Sequence, residues 1–233
     1  MRLIILSTAA AMLMAIAPAS AARPGDAQAP TDSGTIVVNG TAVVPASPDI
    51  FGTVALGAGV TAYGARWRRV SAADEFDPRV RALGAAAAAS GRDPVARLAA
   101  VHADVGRRIR WQRDLDTYHV SDYWAQAGET LTRGQGDSED IAILKMQILK
   151  AAGFAARDIY LSVGRDRQRG ADTLLLVRVG SEFYALDDRS PVPLRAAAGT
   201  RFKPVITLGR GVAWIHGRRI ANRDAKSASA TLR

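Results

Sequence analysis

The chain contains no cysteine. That absence excludes disulfides, a thiolate nucleophile and cysteine metal ligands, and leaves stability to packing alone. It also removes the residue that would carry the lipid of a lipoprotein. Histidine is scarce, with only His102, His119 and His216, so any chemistry that needs an imidazole has few candidates. No run of basic and aromatic residues of the nucleic-acid-binding type occurs, and the arginines are scattered along the chain. The one long apolar run, Leu3 to Ala17, is short for a membrane span and ends in Pro18.

What is present begins with that run. Arg2, the apolar stretch and Ala19-Ser20-Ala21 have the layout of a secretory signal peptide over 1–21, which implies a periplasmic protein that does not span the membrane after cleavage. Removing Arg2 from the 31 basic residues leaves 30 against 22 acidic ones. Such a surface favours acidic partners, and export argues against nucleic acid. A length of 233 residues with 48% hydrophobic content fits one domain with non-domain ends. Residues 22–49 read as a flexible leader with a hairpin around Asn39-Gly40, residues 50–218 as the domain, and residues 219–233 as a disordered tail.

Within the domain, helical signals come first. A strand at Thr53 to Leu56 precedes an Arg-rich amphipathic stretch around Trp67. Asp77-Pro78 opens a helix expected to break near Gly84 and Gly91. Asp93-Pro94 starts another, which runs to about Arg110 with His102 on its apolar side. Ile141, Leu144, Ile148, Leu149 and Ala152 recur at helical spacing, which places Lys145, Gln147 and Lys150 on the wet side of a helix starting at Asp137 or Ser138. From Ile159 the period becomes two, with strands at Ile159–Val163, Thr173–Val179, Glu182–Leu186, Val205–Leu208 and Val212–Ile215. Helices followed by an antiparallel sheet define an α+β fold.

Ser138 sits at the N-terminus of that helix, in the segment Gly134-Gln135-Gly136-Asp137-Ser138-Glu139-Asp140. The helix dipole there is enough to lower a cysteine's pKa, but a serine hydroxyl needs a positioned general base as well. Together with Arg107-Arg108-Ile109-Arg110-Trp111, Asp122-Tyr123-Trp124-Ala125 and Glu129-Thr130-Leu131, the segment resembles the bacterial transglutaminase-like cysteine proteinases from about Phe51 to Gly217. The resemblance implies a papain-like, transglutaminase-like fold and an exported protein. Its best-known members cleave a biofilm adhesin under the control of a cyclic-di-GMP receptor. Ser138 stands where the family has its nucleophilic cysteine, Asp172 in Ala171-Asp172-Thr173 where it has its histidine, and Asp187 where it has its aspartate.

An aspartate with an ordinary pKa near ~4 is a poor base for a hydroxyl. Two carboxylates in place of a histidine–aspartate pair would raise one pKa or draw in a cation. Among the histidines, only His119 is a candidate replacement base; it lies in a loop with Tyr123 and Trp124 whose aromatics read as packing over a core or lining a groove, with the groove as the expectation. Asp137 and Glu139 match family residues that resemble calcium ligands, and alternate carboxylates suit that ion. The competing account makes them cap and dipole partners, with Asp140 fixing the helix start.

The expectation is an inactive family member in which Ser138 is a helix cap. It would bind a peptide or protein, an adhesin or an inner-membrane receptor by inheritance from the family. The alternatives are a hydrolase or acyl-transferase using Ser138, and a cation-dependent structural protein built on Asp137, Glu139, Asp172 and Asp187.

Overall fold

A computed structural model describes residues 36–38, 41–43, 47–59, 61–72, 77–198, 200–209 and 211–218, the first two segments as backbone only. The expected signal peptide, the expected leader up to residue 35, the expected hairpin turn at Asn39-Gly40 and the expected tail from 219 lie outside the described residues. Strands β1 (Ile36–Val38) and β2 (Thr41–Val43) pair antiparallel.

The domain proper runs β3 (Val54–Ala58), α1 (Gly64–Ser71), α2 (Pro78–Ala89), α3 (Pro94–Arg108), β4 (Arg110–Trp111), α4 (Asp114–Tyr118), α5 (Ala127–Arg133), β5 (Gln135–Gly136) and α6 (Ser138–Ala151). It continues through β6 (Ile159–Asp166), β7 (Gly170–Val179), β8 (Glu182–Leu186), β9 (Leu194–Arg195), β10 (Phe202–Gly209) and β11 (Val212–Gly217). Seven strands form one antiparallel sheet in the order β3-β11-β10-β6-β7-β8-β9, the α+β arrangement expected. The two Asp-Pro starts work as capping chemistry requires. Asp77 accepts from Arg79 N, Asp93 accepts from Val95 N and Ala96 N, and each proline occupies the first helical turn.

The sheet is buried on both faces. Leu161, Leu175, Val177 and Leu208 pack against the helices, whereas Tyr160, Leu174, Leu176 and Trp214 join Ile50 and Phe202 in a second cluster. Neighbours along a strand point to opposite faces, so a run such as Leu174 to Val177 is apolar without interruption.

Helix α6 lies at the centre. It touches α2, α3, α5 and β7, and its residues from Ser138 to Leu149, apart from half-buried Glu139, are all buried. The wet side expected at Lys145, Gln147 and Lys150 is therefore absent. Gln147 Nε2 donates to the carbonyls of Val70 (2.6 Å) and Ala72 (3.2 Å), and Lys150 Nζ donates to Ser71 O (3.0 Å). These carbonyls end α1 and have no partner within their own helix, so α6 spends its polar side chains on closing a neighbouring helix. Helix α2 is also not interrupted at Gly84. A Cβ there would fall 2.5 Å from Ala151 Cβ, so the glycine permits close approach of α2 and α6. Helix α3 stops at Arg108, and Arg110–Trp111 instead pairs in parallel with Gln135–Gly136, which ties the end of α3 to the entry of α6.

Candidate functional site

The site grows from the α5–α6 connection. Helix α5 opens with a capping box between Gln126 and Glu129 and ends at Gly134, which takes a left-handed conformation (φ +65°). Gly136 follows, where a Cβ would meet Asp140 Cβ at 2.6 Å. Only glycine lets β5 pass this close to the first turn of α6. Asp137, not Ser138, is then the N-cap, and its carboxylate accepts from Asp140 N at 3.5 Å. Ser138 is the first helical residue. The cap role expected for Ser138 is corrected accordingly, and its hydroxyl is free for other partners.

Those partners lie on β7 and on α6 itself. Ser138 Oγ accepts from Thr173 N at 3.2 Å and donates to Glu139 Oε2 at 3.1 Å. The same Thr173 N–H also reaches Asp172 Oδ1 at 3.1 Å, so one backbone donor is shared by the oxygens of Ser138 and Asp172. Asp172 and Asp187 are brought together as well, but through a residue that sequence reasoning missed. Arg189 grips Asp187 with two aligned bonds, Nε to Oδ1 and a terminal nitrogen to Oδ2, both at 2.8 Å. Its guanidinium also stands 2.7 Å from Asp172 Oδ2 and 2.9 Å from Asp166 Oδ2. These two are charge contacts off the hydrogen-bonding line, because neither oxygen has an aligned donor. The cation that paired carboxylates were expected to attract is thus an arginine of the chain itself. The Asp187-Asp188-Arg189 run is the sequence signal that could have found it.

Burial pushes the Asp172 carboxyl up to about 6, with Arg189 opposing the rise. Burial raises Asp187 too, but its bidentate bonds to Arg189 outweigh this and hold it below the usual carboxylate range. No imidazole joins the group. His102 is buried in α3, as its place on the apolar side suggested. His216 on β11 bonds Thr53 and Thr207. His119 is exposed at the left-handed residue that ends α4 (φ 59°), and no hydrogen bond links it to Ser138.

The expected groove changes in one member. Trp124 is 2% exposed, stacked on Tyr63 at 5.6 Å, and belongs to the core. Tyr123 is half-buried, its hydroxyl on Glu129 Oε1 at 2.9 Å and its ring under Arg69. The Trp124 carbonyl accepts from Arg69, so this loop is pinned by backbone and ring contacts.

The loop also carries acidic groups to the α6 N-terminus. Asp114, Asp137 and Asp140 form one set whose oxygens lie within 4.8 Å of one another, and Asp114, Asp122 and Glu139 form a second. Asp137 and Glu139 were expected here; Asp114 and Asp122 were not, since they come from a different loop. Asp140 has a different role from the one expected, because its Oδ1 accepts from Ala125 N at 2.7 Å and holds the loop against the helix. Among the described residues only Asp122 of these five meets a side-chain cation, Arg66 at 2.7 Å on the surface. Burial raises Asp137, Glu139 and Asp114, with neighbouring carboxylates adding to it, and pushes Asp140 up to about 8. Asp114 Oδ1 and Asp140 Oδ2 are buried with no hydrogen-bond partner. Several hard oxygens, two of them orphaned, fit a hard divalent cation of the calcium type.

A central helix whose first turn abuts strand β7 of an antiparallel sheet, with the chemical positions on helix, strand and the loop after β8, defines a papain-like, transglutaminase-like fold. The model of the family described as bacterial transglutaminase-like cysteine proteinase, BTLCP, matches residues 61–203, and the chain belongs to that family. Calcium-bound LapG of Legionella pneumophila has the same fold. It is 24% identical with a TM-score of 0.51, over 68% of this chain and 91% of that one. EGTA-treated LapG aligns at 24% identity and a TM-score of 0.49, over 64% and 84% of the two chains. A third LapG structure aligns at 25% and 0.49, over 69% and 91%. No curated protein matches the sequence. Among the described residues no helix is long and apolar enough to cross a membrane.

Proposed function

We propose that this chain is an exported, catalytically inactive member of its family that acts in the periplasm as a binding or regulatory module for a protein or peptide. One observation carries the reading: Asp172, which stands where the resemblance puts the histidine of a cysteine proteinase, and Asp187 are both held by the Arg189 guanidinium, and no imidazole joins them. A guanidinium stays protonated at any physiological pH and cannot accept a proton. With no cysteine in the chain, Ser138 is left without a conventional base. The N-terminal sequence supports export. The family resemblance supports an adhesin or an inner-membrane receptor as the partner class.

Calcium belongs to this proposal. Asp114, Asp137 and Asp140, with Glu139 and Asp122 beside them, would hold the ion, which would supply a counter-charge beyond that of the helix N-terminus. Its contribution is structural, holding the loop from Asp114 to Ala125 against α6. The name of the calcium-bound LapG structure supports this choice of ion.

One observation favours a second reading, a hydrolase or acyl-transferase. Ser138 donates to Glu139, whose raised pKa makes it a better base than an ordinary carboxylate. A fluorophosphonate probe followed by peptide mass spectrometry decides between them. The inactive reading expects no adduct on Ser138, with calcium or with a chelator. An adduct that Ser138→Ala abolishes would establish the hydrolase.

A further inference from the structure

A cavity of about 530 Å3 opens between α3, α6 and the loop after β8, within the range of roughly 300–1,000 Å3 typical of small-molecule sites. Ile109, Trp111 and Ile141 give it apolar wall, and Lys145 and His102 line it from positions 1% and 4% exposed. His102 Nε2 lies 2.6 Å from the Ser190 carbonyl, which can only accept. The ring proton is therefore on Nε2, and Nδ1 accepts from Lys145 Nζ at 3.2 Å. A second Lys145 N–H goes to the Leu186 carbonyl at 3.1 Å. An ammonium has three donors, so one is uncommitted to these partners. Asp187 and Asp188 act on Lys145 only as longer-range charges, and burial outweighs them, lowering the amine to about 8. A buried ammonium without a direct counter-ion is costly, and the adjoining space is where a counter-ion fits.

We propose that this cavity binds a small organic monocarboxylate, its anion taken by Lys145 and its apolar body laid against Trp111, Ile109 and Ile141. Arg107 at the rim adds positive charge beyond its pair with Asp104. Asp188, paired with Arg169 at 3.1 Å, lines the same space and disfavours a second carboxylate on the ligand. The site does not depend on whether Ser138 is inert, since neither Lys145 nor His102 contacts Ser138 by any hydrogen bond.

The test is an amide NMR titration of the full chain with hexanoate, using hexanol, hexylamine and succinate as comparison probes. Hexanoate is expected to give saturable shifts at Gly106, Ile141 and Ser190, with succinate weaker and the neutral and cationic probes without effect. Lys145→Met should weaken hexanoate by at least about tenfold. Equal shifts with hexanol, no saturable shift at these amides, or unchanged affinity in Lys145→Met overturns the site. Should that variant fail to fold, acylation of Lys145 in the unmodified chain gives a second reading. Hexanoate should slow it several-fold, and an unchanged rate overturns the proposal.

Discussion

Where α6 meets β7, Asp166, Asp172 and Asp187 gather around Arg189; where α6 meets the loop from Asp114 to Ala125, Asp114, Asp137, Glu139 and Asp140 gather around no side-chain cation among the described residues. Both groups are buried to similar degree, so the difference is in the source of the counter-charge. The first group has its cation from a residue two positions beyond one of its own members, a guanidinium that stays charged at any physiological pH. The second depends on a cation from solution or on protons. One helix end thus carries a carboxylate group with a built-in cation beside one that has none among the described residues.

The largest effect is expected from removing the internal cation. Arg189→Met leaves Asp166, Asp172 and Asp187 without their shared guanidinium, with only backbone donors and the more distant Arg201 beside them, and should cost about 3–5 kcal/mol in urea unfolding. A loss near zero would mean the carboxylates relax to water and the arginine is incidental.

Calcium should produce the next largest effect. The raised carboxyls keep protons in the native state that the unfolded chain releases near pH ~4. In the presence of a chelator, stability should therefore be fullest below that pH and fall as pH rises toward about 8, where Asp140 titrates. Calcium should abolish the fall and add about 2.7 kcal/mol at a hundredfold excess over its Kd. Coincident melting curves with calcium and chelator across this range would remove the cation from the account.

Gly136→Ala tests the geometry that brings the acidic groups together. Forcing a methyl against Asp140 should cost about 1–3 kcal/mol and weaken the calcium response in the same sample. The smallest effect is expected from Asp172→Asn, under about 1 kcal/mol, because Asp187 and Asp166 still partner Arg189. Burial raises the folded pKa of Asp172 to about 6, so the stability its protonated form contributes is lost as pH rises through that value. The asparagine variant should lack that step.

Some of this was legible in the residues. The Asp-Pro helix starts, the period-two strands after Ile159 and the α6 start at Asp137-Ser138 all rest on local chemistry, and local chemistry is what a sequence displays. Three features were not legible. Lys145, Gln147 and Lys150 look like a wet face, since only the packing of α1, α3 and β8 against α6 supplies the carbonyls and imidazole that they bond. Trp124 looks like a groove aromatic until Tyr63, far away in sequence, is seen stacked on it. Arg189 lies beside Asp187 in sequence, yet its approach to Asp172 and Asp166 depends on the pairing of β6, β7 and β8.

The sequence by itself determined the fold class, the place of Ser138 at a helix N-terminus and the lack of a thiol there, because periodicity, capping and composition act over a few neighbouring residues. Only the tertiary structure decided which charges are neutralised from within and which await an ion. That outcome depends on distances between segments far apart in the chain, and a buried charge is stable or costly according to what lies within a few ångströms of it.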